Sequence, residues 1–386
     1  MSTPIYLDYA AATPMDDLAL RTMMPFLQES FYNPSAVYQP AREVRAKLEN
    51  ARGIVADVLG AKDQEILFTA GGTEANNIAV RGVLSSYDDA HVVTSAIEHE
   101  SVLEPAMQFD RTAVPVTKKG LLDLTRLAEA ITDKTVLVSV MYANNELGSI
   151  QPIKEVAAII ASIRASRAKA GNGRPLYLHT DACQAANFLD LQVTRLGVDL
   201  MTLNGGKIYA AKQSGCLYVR TGVQLAPFTY GGGQERSIRS GTENVAANIS
   251  FATMLQNNQK IRKDESHRQK QMRDALFAKL SQNIPNVQLN GDIKKRLPNN
   301  LNITIPGVEG ERLLMELDQA GLLVATGSAC TASNDKPSHV LLALGHSEAE
   351  ANASLRITLG QPTTEQEIEQ AAQILSDTIN AHAKLV

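Results

Sequence analysis

Cysteine is scarce in this chain: Cys183, Cys216 and Cys330 are the only three in 386 residues. An odd, sparse set without a CxxC pair gives neither a disulfide framework nor a zinc site. Long apolar runs are also missing. None approaches the roughly 20 residues of a membrane-spanning helix. Nor is there an excess of positive charge. A formal net charge of −4 leaves no electrostatic footprint for nucleic acid or a membrane surface. The first residues, Met1 to Asp8, carry neither a basic start nor an apolar signal core. No internal repeat or low-complexity segment is visible. What remains is an ordinary globular composition, 44% hydrophobic and 20% charged. The length suits about two to three domains. A cytoplasmic enzyme with no nucleic-acid or membrane partner is the expected class.

Short apolar runs rich in β-branched residues alternate with amphipathic stretches. Strands are expected at Glu65–Thr69, His91–Thr94, Thr135–Met141, Leu176–Thr180, Leu200–Leu203 and Gly215–Val219. Their nearly continuous apolar character fits a sheet covered on both faces. Helices are expected at Ala41–Leu59, Thr73–Leu84 and Pro152–Ala170. The alternation predicts an α/β fold with a mostly parallel sheet. Ligands of such sheets bind outside the carboxyl ends of the strands. From Asn244 to about Leu280 a long helical pattern leads into a second, smaller α/β unit. Its expected strands are Asn300–Ile305, Leu322–Thr326 and Leu355–Thr358, and its closing helix is Thr364–Lys384, with Thr364 as N-cap. The expected division is a large domain over 15–255 and a small domain made of 1–14 and 256–386, which carries Cys330.

Six positions carry candidate chemistry. Lys207, in Asn204-Gly205-Gly206-Lys207, is an amine in a glycine-rich turn after an apolar strand. It can hold an aldehyde cofactor as a Schiff base, or be an ordinary solvated lysine. Asp181 ends the run Leu176-Tyr177-Leu178-His179-Thr180. It can partner a pyridinium nitrogen, or cap a helix with Gln184 three residues on. Gly71-Gly72-Thr73 follows a strand and opens a helix, which makes an anion site or a plain glycine turn. His99 is a ring-stacking or proton-relaying imidazole, or a surface histidine between Glu98 and Glu100. Arg356, in a strand pattern, can clamp a carboxylate with two parallel hydrogen bonds, or sit at a wet strand edge. Cys330, in Gly327-Ser328-Ala329-Cys330-Thr331, is a reactive loop thiol or a buried small hydrophobe. Lys, Asp and Cys in this arrangement suggest pyridoxal 5'-phosphate (PLP) chemistry on a sulfur amino acid.

The motifs together resemble the NifS/IscS class of cysteine desulfurases, within the class-V aminotransferase fold, PLP fold type I. The resemblance runs from Tyr6-Leu7-Asp8-Tyr9 to Arg356-Ile357-Thr358-Leu359-Gly360, almost the whole chain. Its more specific pieces are Asn33-Pro34-Ser35, Thr73-Glu74-Ala75-Asn76-Asn77, Glu98-His99, Asn144-Asn145-Glu146-Leu147-Gly148, Asp181-Ala182-Cys183-Gln184 and Arg239-Ser240-Gly241-Thr242. The stretch from Gly327 to Ser338 resembles the loop of the group that passes sulfur to protein acceptors. The resemblance implies conversion of L-cysteine to L-alanine, with the sulfur left as a persulfide on Cys330. The acceptor would be a protein of iron–sulfur cluster assembly or of tRNA thiolation.

By the same resemblance, Lys207 forms the Schiff base with PLP, His99 stacks on the ring and Asp181 pairs with its nitrogen. Asn145 and Gln184 contact the ring oxygen. Gly72 and Thr73 hold the phosphate, with Asn204 also among the cofactor-binding residues. Thr242 reaches the phosphate of a neighbouring subunit, implying a homodimer. Arg356 binds the substrate carboxylate together with Asn33. The family usually has Ser-Gly-His-Lys where this chain has Asn204-Gly205-Gly206-Lys207, and Tyr-Gly-Pro-Lys where it has Tyr209-Ala210-Ala211-Lys212. The residue before the lysine usually helps to bind phosphate, and Gly206 has no side chain for it. Two other readings keep the fold: another PLP enzyme, such as a selenocysteine lyase or aminotransferase, and a non-catalytic scaffold.

Overall fold

The computed structural model describes residues 4–327 and 336–382. Its centre is a seven-stranded sheet. In chain order the strands are β1 (Ile66–Thr69), β2 (His91–Ser95), β3 (Asp110–Val114), β4 (Thr135–Ser139), β5 (Tyr177–Asp181), β6 (Leu200–Asn204) and β7 (Gly215–Val219). Their spatial order is β1-β7-β6-β5-β4-β2-β3. Only β7 opposes its neighbours, so the other six strands run in one direction. The mostly parallel sheet expected from the sequence is therefore present. All six expected strands of this sheet, β7 included, start within one residue of their predicted positions. The additional strand, β3, has the sequence Asp-Arg-Thr-Ala-Val and lies at the sheet edge, largely exposed. An edge strand open to water needs no apolar run, so periodicity gave no signal for it.

Successive strand side chains point to opposite faces, and both faces are buried. Ile66, Phe68, Met201 and Cys216 pack with Val44, Leu48 and Val55 of helix α1 (Gln39–Leu59). Leu67, Leu200 and Leu217 point the other way, onto Ile78 and Val83 of helix α2 (Gly72–Leu84). Helix α3 (Glu100–Ala106) joins α2 on that face, and helix α4 (Ile153–Lys169) lies with α1. This two-sided cover explains why the strands read as continuous apolar runs.

Helix α5 (Val245–Asn283) crosses between two cores without a break. Phe251 and Leu255 near its start belong to the sheet core, and Met272, Leu276 and Leu280 to a second core. That second core contains the antiparallel strands β8 (Gln288–Leu289), β9 (Asn300–Thr304) and β10 (Ser354–Thr358), and helix α6 (Glu365–His382). The cap expected at Thr364 forms: its Oγ1 accepts from Glu367 N at 3.2 Å, and Glu367 Oε2 accepts from Thr364 N at 2.8 Å. The N-terminal segment joins this unit, as Ile5–Tyr6 pairs in parallel with Leu322–Leu323.

Candidate active site

Parallel strands place their following loops at one edge of the sheet, and most candidate residues sit there. His99 lies beyond β2, Asn145 beyond β4, Asp181 at the end of β5, Lys207 beyond β6 and Gly72 beyond β1. One cavity, open to solvent, gathers Gly72, Thr73, His99, Asn145, Asp181, Gln184, Asn204, Lys207 and Arg356 on its walls. Asn33 and Thr242 stand outside it. Both are exposed, and Asn33 Oδ1 accepts from Ser35 N at 2.9 Å within its own turn. Cys330 lies outside the described residues.

Lys207 ends a 3-10 turn, Gly205–Lys207, that leaves β6. Gly205 is compulsory there: a Cβ would lie 2.1 Å from Ser214 Oγ and 2.9 Å from Ala211 O. The N-terminal segment is stapled onto this turn. Thr13 N donates to Gly206 O at 3.1 Å, and Tyr209 N donates to Thr13 Oγ1 at 2.9 Å. The segment thereby brings two carbonyls to the amine: Lys207 Nζ donates to Ala10 O at 2.8 Å and Ala11 O at 2.5 Å. Gln184 Nε2 donates to the same Ala10 O at 3.0 Å.

Asp181 is 8% exposed and does not cap a helix. Its Oδ2 accepts from Asn76 Nδ2 at 2.7 Å and its Oδ1 from Cys183 N at 2.9 Å. Asn76 Nδ2 also donates to Ser101 Oγ at 2.8 Å. Ser101 Oγ lies 2.8 Å from His99 Nδ1, which accepts from Ser101 N at 3.0 Å. With Nδ1 accepting, a neutral His99 carries its proton on Nε2. Asn76 and Ser101 thus tie the carboxylate to the imidazole. Asn76 lies within the motif Thr73-Glu74-Ala75-Asn76-Asn77, but the motif alone does not show this role. Its position one helical turn after Gly72, on the same face of α2, was the available signal. His99 is also the N-cap of α3.

Burial sets the charges behind this wall. Glu98 is fully buried, which pushes its carboxyl up to about 8, with Asp181 adding to the rise against the hydrogen bonds from Ser95 and Met141 N. Burial pushes His179 down to about 4. Cys183 is driven well up by burial and by the neighbouring Asp181, and Cys216 is raised by burial. Neither thiol is primed as a nucleophile, as expected for packing cysteines.

Arg356 is 1% exposed, not at a wet edge. Its Nη2 donates to Asp8 Oδ1 at 2.7 Å and its Nη1 to Asn145 O at 3.4 Å. Its Nε is buried with no hydrogen-bond partner among the described residues. A buried guanidinium donor without an acceptor costs free energy, and Arg356 is one of the residues lining the cavity. The donor set also fits PLP. Lys207 offers an amine, Asp181 a fixed anion, and the start of α2 free amides at a glycine. A Cβ at Gly72 would meet Cys183 Sγ at 2.8 Å, so the backbone approaches closely only because it has none.

Residues 5–371 match the "Aminotransferase class-V" family model, and the chain belongs to that family. It is 39% identical to "Cysteine desulfurase IscS" from Dictyoglomus turgidum, over 98% of this chain and 95% of that protein. A solved "NIFS-like protein" superposes with a TM-score of 0.90 at 29% identity, covering 98% of this chain and all (100%) of the other. A structure described as "SspA in complex with cysteine" superposes with a TM-score of 0.78 at 32% identity, covering 92% and 98%.

Proposed function

We propose that this chain is a PLP-dependent cysteine desulfurase that converts L-cysteine to L-alanine and hands on the sulfur. The observation that carries the reading is one cavity holding the Lys207 amine, the Asp181 carboxylate and a buried guanidinium with an unsatisfied Nε. Relatives named as cysteine desulfurases along nearly the full chain support it. When bound, PLP supplies an aldehyde for the amine and a pyridine ring that draws electrons from the substrate Cα.

Asp181 favours a protonated ring nitrogen through its charge, and Asn76 and Cys183 N fix its two oxygens. His99 is held in one tautomer by Ser101. Arg356 takes the substrate carboxylate, and its Nε gains the acceptor it lacks. With PLP bound, Lys207 would hold it through its amine and would carry the proton from and back to the substrate Cα. Cys330 as thiolate then attacks the substrate sulfur. The S–S bond forms as the S–Cβ bond breaks, a proton goes to Cβ, and alanine leaves with a persulfide on Cys330. Thr242, exposed outside the cavity, serves the neighbouring subunit of a homodimer. The same reading assigns 15–255 to the PLP domain and 1–14 with 256–386 to the small domain, and places the enzyme in the cytoplasm with a sulfur-acceptor protein as partner. No described helix is long and apolar enough to cross a membrane.

The test is to add L-cysteine and a reductant to the purified protein and assay alanine and sulfide together. A yellow protein forming both, and a Cys330→Ala variant that forms neither, is the expected result. Full activity without the Cys330 thiol would remove it from the mechanism, and no activity with PLP bound would remove the desulfurase reading.

A further inference from the structure

Beside the Lys207 turn, a second opening is lined by Gly72, Thr73, Asn77, Gly206, Lys207 and Lys212, among others. It shares Gly72, Thr73, Asn204 and Lys207 with the main cavity. The amides of Gly72, Thr73 and Glu74 precede the first bond of α2, made by Ala75 N to Gly71 O at 3.1 Å. Those amides and the helix dipole favour an anion. On the wall of the main cavity, Asn76 is 1% exposed and its Oδ1 has no partner among the described residues. The far wall is bare at Gly206. A Cβ there would have only Asn204 Oδ1, at 3.6 Å, and Lys212 Cγ, at 3.9 Å, within 4 Å. Lys212, an exposed residue, thus has its Cγ beside the space that a side chain at 206 would fill.

Charge narrows the choice further. The charged groups among the described lining residues are Glu74, Lys207 and Lys212. Glu74 is engaged by Arg239 at 3.0 Å and by Ala70 N. Lys207 donates to Ala10 O and Ala11 O, and PLP takes its amine. Lys212 remains as the cation for a phosphate that carries close to two negative charges. Its flexible four-carbon stem suits a point contact to phosphate.

We propose that Lys212 binds the phosphate of PLP in place of a side chain at Gly206, so that selection of PLP over pyridoxal depends on it. The proposal rests on the PLP reading above, and the experiment separates the two. Protein stripped of cofactor, as native, Lys207→Ala, Lys212→Met and Lys212→Arg forms, is titrated with PLP and with pyridoxal. The Schiff-base absorbance is followed, and inorganic phosphate is added as competitor. Lys212→Met should bind PLP about tenfold more weakly, the size of one charge-assisted contact. Its affinity for pyridoxal should stay within about twofold, and phosphate should compete less well than with native protein. Lys212→Arg should stay close to native. PLP affinity unchanged in Lys212→Met, or an equal fall for PLP and pyridoxal, would overturn the role of Lys212 alone. Native protein that gives no Schiff base, or a Lys207→Ala variant that still gives one, would overturn the cofactor reading and the proposal with it.

Discussion

Replacing Glu98 with Gln should make the stability of this protein less sensitive to alkali. Glu98 Oε1 accepts from Ser95 Oγ at 2.6 Å and from Met141 N at 2.8 Å, and its Oε2 has no partner among the described residues. Its carboxyl rises from 4.5 to about 8, chiefly through burial. The folded pKa lies above the unfolded one, so the native state binds the extra proton. The stability from that proton is fully present below about pH 4.5 and is lost as pH rises through about 8. A shift from 4.5 to about 8, at ~1.4 kcal/mol per pKa unit, sets a ceiling of about 5 kcal/mol. Glu98→Gln keeps a neutral side chain of the same shape and removes this dependence. Urea unfolding of both proteins from about pH 5 to about pH 9 is the assay. The stability gap between variant and native should widen in favour of the variant up to about pH 8 and then stay level. A gap that stays constant with pH would refute the argument, because the native Glu98 would then ionise as readily folded as unfolded.

Three further outcomes follow from the packing and the site. Gly205→Ala should destabilise by about 1–3 kcal/mol, since its Cβ would collide with Ser214 Oγ and Ala211 O; Gly206→Ala should cost under about 0.5 kcal/mol, and denaturation midpoints distinguish them. Arg52→Met should cost about 3–5 kcal/mol by leaving Glu235 buried without its bidentate partner at 2.8 and 2.9 Å; urea unfolding should show much of the loss recovered when Glu235→Leu is added. Arg356→Gln should raise KM for L-cysteine by about tenfold or more with a smaller change in kcat, measured by initial rates of alanine formation.

Local signals reached far in this chain. Apolar runs such as Leu200–Leu203, with Gly205 and Gly206 beyond, located both a buried parallel strand and the turn that presents Lys207. Thr364 with Glu367 marked the start of the last helix. Each depends on residues close in sequence, whose spacing states their geometry. The edge strand Asp110–Val114 escaped because its faces meet water and selection for apolar residues is relaxed there. The pairing of Arg356 with Asp8 and the grip of Ala10 and Ala11 on Lys207 depend on chain crossings of 348, 197 and 196 residues. No period or local motif encodes such contacts. The sequence by itself determined the sheet, its direction and the residue types offered at its carboxyl edge. Tertiary structure alone decided that Asn76 and Ser101 link Asp181 to His99, that Glu98 is buried with one carboxyl oxygen unpartnered among the described residues, and that Lys212 Cγ lies beside the gap at Gly206. These properties come from burial and from hydrogen bonds between distant segments, which exist only after the chain has packed.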